Sequence, residues 1–143
     1  MIIKRIPKGY LIRLDQGEEL FASLEVFTEQ HQIQSAYVSG IGLVRELELG
    51  YFDSEQAQYE RKIYQENLEV VSLTGTITEC EDKPFYHIHG VFGTKQFETV
   101  GGHVMRAVTD MTLELFISDF ETRITRTLDE QSGLKLLNFD RYA

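Results

Sequence analysis

The sequence predicts an α+β domain: a mostly antiparallel sheet of about seven strands with a few flanking helices. Three observations lead there. From Ser35 onward, β-branched and aromatic residues recur in short runs, parted by turn-forming residues at Gly40-Ile41-Gly42, Glu81-Asp82-Lys83-Pro84, Thr109-Asp110 and Gln131-Ser132-Gly133. One stretch near the N-terminus has helical periodicity. Too few such stretches alternate with the strands to build a doubly wound parallel sheet.

Taken in order, the chain opens with a strand after Pro7 and Gly9, in which Tyr10, Ile12 and Leu14 alternate with Leu11 and Arg13. Asp15-Gln16-Gly17-Glu18 has the form of a capping box, with Asp15 as N-cap and Glu18 reaching back. A helix follows, because Leu20, Phe21, Leu24 and Phe27 share one face while Glu18, Glu25 and Glu29 take the other. This helix covers the sheet, and His31 ends it as a surface residue. The strands are expected at Ser35 to Val38, Leu43 to Phe52, Leu68 to Thr78, Phe85 to Phe92, Val100 to Val108, Met111 to Ser118 and Glu121 to Leu128. Gly40-Ile41-Gly42 lacks the rest of a dinucleotide fingerprint and leads into another strand, which excludes a Rossmann reading.

Composition narrows the function. With 143 residues, 42% hydrophobic and 26% charged, the chain reads as one domain, 1–143. No run is long or apolar enough for a signal peptide or membrane span, so a cytoplasmic protein is expected. Cys80 is the only cysteine, which excludes an intramolecular disulfide and a Cys-rich zinc motif. The net charge of −9 makes autonomous DNA binding a poor fit, since phosphate neutralisation draws on clustered Lys and Arg. The close basic groupings are Lys4-Arg5-Lys8 and Arg61-Lys62.

The most informative segment is Phe85-Tyr86-His87-Ile88-His89-Gly90, followed by Gly101-Gly102-His103. On a strand, His87 and His89 point the same way, roughly 6.5 Å apart, while Tyr86, Ile88 and Phe92 face a core. Pairing residue 103 with 89, or with 87, has an even register sum and places His103 on the same face. Three convergent imidazoles make a divalent-metal site. Gly101-Gly102 reads as a bulge that lets backbones approach, and Met105 and Ala107 as an apolar wall beside the metal.

In order, Tyr37-Val38-Ser39-Gly40-Ile41-Gly42, Leu49-Gly50-Tyr51-Phe52, Glu69-Val70-Val71-Ser72-Leu73-Thr74-Gly75-Thr76-Ile77, His87-Ile88-His89 and Gly101-Gly102-His103-Val104 resemble the PPC ("plants and prokaryotes conserved") domain. The resemblance spans nearly the whole chain. It implies a largely antiparallel sheet packed against helices, a homotrimer, and a histidine cluster able to hold zinc in the free-standing prokaryotic type, here His87, His89 and His103. Plant members carry an AT-hook ahead of the domain. This sequence has no Arg-Gly-Arg-Pro element, so the DNA-binding description transfers poorly and any DNA association would be indirect.

Zinc fits three imidazoles first on ligand softness, with nickel, copper and iron(II) also accommodated. Three histidines leave a fourth position for water. Two functions follow: a homotrimeric zinc-binding module with a regulatory or ligand-binding role, or a metal-dependent hydrolase or lyase acting on a small polar substrate. A structural metal is the third. For the enzyme, Glu69 is the candidate catalytic base, expected on a buried face with Val71, Leu73 and Ile77, with a salt bridge to Arg45 or Arg106 as its competing role. Glu114 is a weaker candidate, and Glu98 reads as hairpin-loop surface. Cupins also use H-x-H on a strand, but their glutamate follows closely, whereas here Gly90-Val91-Phe92-Gly93-Thr94 follows.

Overall fold

Alternating hydrophobicity produces the elements expected of it, and the computed structural model, which describes residues 1–139, shows how they join. In order they are β1 (Ile2–Ile6), β2 (Gly9–Asp15), α1 (Leu20–His31), β3 (Ala36–Asp53), β4 (Gln58–Tyr64), β5 (Leu68–Cys80), β6 (Lys83–Gly93), β7 (Thr99–Asp119), β8 (Thr125–Leu128) and β9 (Lys135–Asn138). Antiparallel pairing joins β3 to β5, β5 to β6, β6 to β7 and β7 back to β3, so these four strands close a ring. Outside the ring, β2 extends the sheet from β7 and β1 from β2, while β4 pairs with the far half of β3. The β8–β9 hairpin touches β5 through one parallel pairing, Glu79 with Thr125.

The alternation in β2 holds: Tyr10, Ile12 and Leu14 are all buried. They meet Leu20, Leu24 and Phe27 of α1 and the inward side chains of the ring, among them Leu73, Ile77, Ile88, Phe92, Leu113, Leu115 and Ile117. The helix starts later than its sequence signal. Glu19 is the N-cap, its carboxylate accepting from the Ala22 N–H at 2.8 Å. Glu18 does reach back to the Asp15 N–H at 2.7 Å, but within a turn ahead of the helix. Among the described residues α1 is the one helix, and none is long and apolar enough to cross a membrane.

The strand count differs from the expected seven for two physical reasons. Gly40-Ile41-Gly42 and Thr109-Asp110 are not turns. The first is a register shift inside β3, where Gly42 has φ 152° and an added Cβ would lie 2.3 Å from the Thr112 carbonyl oxygen. The second runs on as strand inside β7, whose 21 residues pass from the β6 edge to the β2 edge. Three short strands were hidden because they have little buried face: β1, β4 and β9 are exposed or half-exposed throughout. The turn between β5 and β6 is where the sequence places it, with Glu81 at φ 54° and Asp82 at φ 58°, the positive pair of a two-residue hairpin.

Ser35 ties the C-terminal segment to this frame. Its fully buried hydroxyl accepts from the Ile124 N–H at 2.8 Å, and its carbonyl accepts from the Phe120 N–H at 3.0 Å. Ser35→Ala strands the Ile124 amide, which costs about 1–2 kcal/mol. Urea denaturation with amide exchange tests this, since unchanged stability and unchanged protection at Ile124 would make the tether dispensable.

Candidate metal centre

The pleat of β6 sends Ile88, Gly90 and Phe92 to the core side and His87, His89 and Val91 outward. Register then completes the group. His89 pairs with His103 across β6 and β7, one of the two pairings expected from parity. On the other side of β6, Thr76 lies opposite His87 and Thr74 opposite His89. Gly75, between them, lets β5 and β6 close up: a Cβ there would sit 2.1 Å from the His87 carbonyl oxygen.

The three rings gather with centroids 5.0 Å apart for His87 and His89, 5.4 Å for His87 and His103, and 5.2 Å for His89 and His103. One nitrogen from each lies within 4.8 Å of the others. The Nε2 atoms of His87 and His89 are 3.2 Å apart. Two nitrogens bound to one tetrahedral zinc at 2.0–2.1 Å would be about 3.3 Å apart. The pair is therefore already at ligand spacing.

Burial, with charge nearby, holds His87 and His103 in the form a metal needs. Burial, then the neighbouring His87 and His89, lowers the His103 pKa to about 4. His87 is lowered as well, first by burial and then by the Arg126 guanidinium and His89. Both favour neutral imidazole, the ligating state. His103 Nδ1 is buried without a hydrogen-bond partner, an uncompensated polar atom in a cluster of nitrogen donors. The donor set and this orphan fit a divalent transition metal.

The surroundings come from three further elements. On β3, Gly50 lies opposite His103, and the missing side chain there makes room for Met105 and Tyr59, which a Cβ would meet at 2.6 and 2.9 Å. Tyr59 of β4 reaches His103 at a ring distance of 5.2 Å. From the C-terminal hairpin, Arg126 bonds Thr78 Oγ1 at 2.9 Å and the Lys135 carbonyl at 2.8 Å, and its Nη2 lies 3.4 Å from His87 Nδ1. These residues enclose a cavity of about 100 Å³ against His87 and His103.

Several expectations need correction. Glu69 is exposed, not buried with Leu73 and Ile77, because a bulge between Val70 and Ser72 turns Val71 outward and reverses the parity of the strand start. It pairs with Gly93, four residues beyond His89, and so stands about 13 Å along the sheet from the cluster. Arg45 and Arg106 pair with Glu46 instead, at 4.0 and 2.7 Å. Ala107 belongs to the core, because irregular pairing of β7 with β3 around Glu48 turns it inward, leaving Met105 alone as the expected wall. Gly101 and Gly102 pair in regular register without a bulge, although backbone approach does require them: a Cβ on either would lie 2.9 Å from a carbonyl oxygen.

Glu114, the weaker candidate base, is not brought to the cluster, since it lies opposite Arg13 of β2 and Ile41 of β3, and His31 is half-buried where a surface position was expected. Glu114 is exposed and faces away from the core, and Glu98 lies at the surface of the β6–β7 hairpin. Cys80 is a buried free thiol, and His31 ends α1 against Tyr10 and Phe27. The sequence reading missed Tyr59, Arg126 and Lys135. A small residue opposite His103 was the available signal for Tyr59. Nothing local marks the two basic residues, since a hairpin beyond the main sheet brings them in.

A family model described as the Plants and Prokaryotes Conserved (PCC) domain matches residues 1–121. A solved structure from Bacteroides thetaiotaomicron, named for a proposed DNA-binding role, is 28% identical with a TM-score of 0.94 and 98% of each chain covered. A metal-containing protein from Archaeoglobus fulgidus is 35% identical, with a TM-score of 0.84, covering 97% of this chain and 99% of that one. The bifunctional protein GlmU of a Synechococcus strain is 30% identical over 145 residues, covering 96% of this chain. The chain spans about 22% of the length of that relative.

Proposed function

The chain belongs to the Plants and Prokaryotes Conserved domain family, and we propose that it is a homotrimeric module that binds a divalent transition metal, zinc first, through His87, His89 and His103, in a regulatory or ligand-binding role. The observation that supports this most is the spacing of the nitrogens, with two at 3.2 Å and all three within 4.8 Å. Three imidazoles would satisfy three of the four positions that zinc prefers and would supply a Lewis-acidic centre facing the cavity. The metal content of the Archaeoglobus relative points the same way.

Binding is preferred to turnover on a specific ground. A hydrolase or lyase needs a base beside the metal. Among the described residues, no carboxylate lines the cavity, and Glu69 stands elsewhere on the sheet. Self-association is supported by the outward face of β2, β3, β5 and β7, where Leu11, Tyr37, Ile41, Val71 and Phe116 are each at least 40% exposed around one shallow depression. DNA enters this reading only indirectly, because the net charge is −9 and Arg61, in one of the two basic groupings, is paired with Glu48 at 3.1 Å.

Elemental analysis of untagged protein, with light scattering for subunit mass, tests the proposal. One metal per chain is expected, falling towards none in His87→Ala and His103→Ala while the trimer persists. A chain without metal, or variants that retain it, would sink the three-histidine site, and a monomeric mass would sink the trimer.

A further inference from the structure

The cavity beside the histidines has an unusual charge for this chain. The whole molecule carries −9, yet the charged side chains lining the cavity are Arg126 and Lys135, both cationic. Among the described residues Lys135 has one loose carboxylate partner, Glu81 at 3.9 Å, and Arg126 forms no ion pair. Both cations lie over the Phe85 ring, Arg126 at 5.1 Å and Lys135 at 5.6 Å from its centroid, which holds their charged ends at the cavity wall. Two cations and two neutral imidazoles around about 100 Å³ would leave positive charge unbalanced. That volume holds about three waters, or one small oxyanion.

Hydrogen-bond chemistry adds a second, independent argument. A guanidinium has donors only, so the Nη2 contact at 3.4 Å requires His87 Nδ1 to accept. The remaining proton of neutral His87 then sits on Nε2, the nitrogen directed at His89. For His87 Nε2 to offer a lone pair to a metal, its proton must move to Nδ1, and two N–H donors then face each other across the contact. The contact must open. The freed guanidinium N–H then looks into the same cavity that the metal's remaining position faces.

We infer that this cavity binds the oxyanion group of a small molecule, a carboxylate or a phosphate, held between Arg126 and the metal with Lys135 contributing charge. The inference rests on the proposed metal site and adds its ligand class. Arg126 and Lys135 lie beyond the residues 1–121 matched by the family model, so the selectivity belongs to the C-terminal hairpin of this chain. A carboxylate oxygen pair would suit the fork of Arg126, and a phosphate would draw more on both cations.

Calorimetric titration of zinc-loaded protein with acetate, and separately with inorganic phosphate, tests this alongside the zinc content of every sample. At least one anion is expected to bind, at least tenfold more weakly to Arg126→Gln and several-fold more weakly to Lys135→Gln, with zinc content and melting temperature preserved in the second. Arg126→Lys should fall between wild type and Arg126→Gln, and Arg61→Gln, far out on β4, should behave as wild type. Preference for acetate identifies a carboxylate ligand, and preference for phosphate a phosphorylated one. A zinc-loaded wild type that binds neither anion overturns the inference and leaves the metal site standing, as does a fully loaded Arg126→Gln with unchanged anion affinity. A wild type that holds no zinc overturns the metal site and this inference with it.

Discussion

Gly75→Val is expected to destabilise the protein by at least about 3 kcal/mol and to abolish metal binding together with the fold. Gly75 lies in β5 opposite Ile88, between the partners of His87 and His89. A Cβ there would be 2.1 Å from the His87 carbonyl oxygen and 2.7 Å from the Ile88 Cα, and both atoms belong to backbone that cannot rotate away. The strands would have to part at the position where the two histidines are held in register. Gly93→Ala is the matched control, since its Cβ meets only side-chain atoms, the nearest at 3.4 Å. Urea midpoints and zinc content of the two variants decide the matter. A Gly75→Val protein with wild-type stability would mean that β5 and β6 tolerate separation, and the rigidity ascribed to the histidine pair would be wrong.

The second large effect is a loss of stability in acid. With chelator present, stability is expected to fall by on the order of 2 kcal/mol between pH 6.5 and pH 4, a figure reduced because the ring is only half-buried. In the unfolded chain His103 takes a proton near pH 6.5, whereas in the fold it holds out to about pH 4. Between those values the unfolded state binds more protons, so stability is complete above the window and declines as pH falls through it. Below about pH 4 both states are protonated and the decline from this ring ends. His87 is lowered in the same direction and adds to the trend. Zinc binding requires the neutral rings, so the zinc-loaded protein should lose stability more steeply over the same range. His103→Gln should flatten the chelated profile, and a variant whose profile matches wild type would assign the acid sensitivity to other groups.

The histidine cluster was legible because it depends on two parities, that of alternation along β6 and that of pairing with β7, and neither strand is irregular between residues 87 and 89 or between 99 and 103. The core of β2 and the helix face were legible for the same kind of reason. What the sequence conceals is where periodicity breaks. The bulge beside Val71 put Glu69 on the wrong face, and the irregular pairing around Glu48 did the same for Ala107. A glycine pair such as Gly40 and Gly42 signals a departure from regular backbone but not whether the chain reverses or continues, and here it continues through β3. The basic wall of the cavity was beyond reach for another reason. Arg126 arrives through a hairpin attached to β5 at a single pairing, a contact that only the assembled sheet defines.

The closed ring of strands has a kinetic meaning. His103 reaches His89 through the local β6–β7 hairpin, whereas β3 meets β7 across the length of β5 and β6, and this long-range pairing completes the ring. Contacts so distant in sequence make for slow closure, because the entropy of a long loop is lost before the pairing is gained. The three histidines can therefore meet in the hairpin before the ring is shut. Ring closure then brings Gly50 of β3 and Tyr59 of β4 against His103, so the walling-in of the site, and not the meeting of its ligands, marks the late folding step.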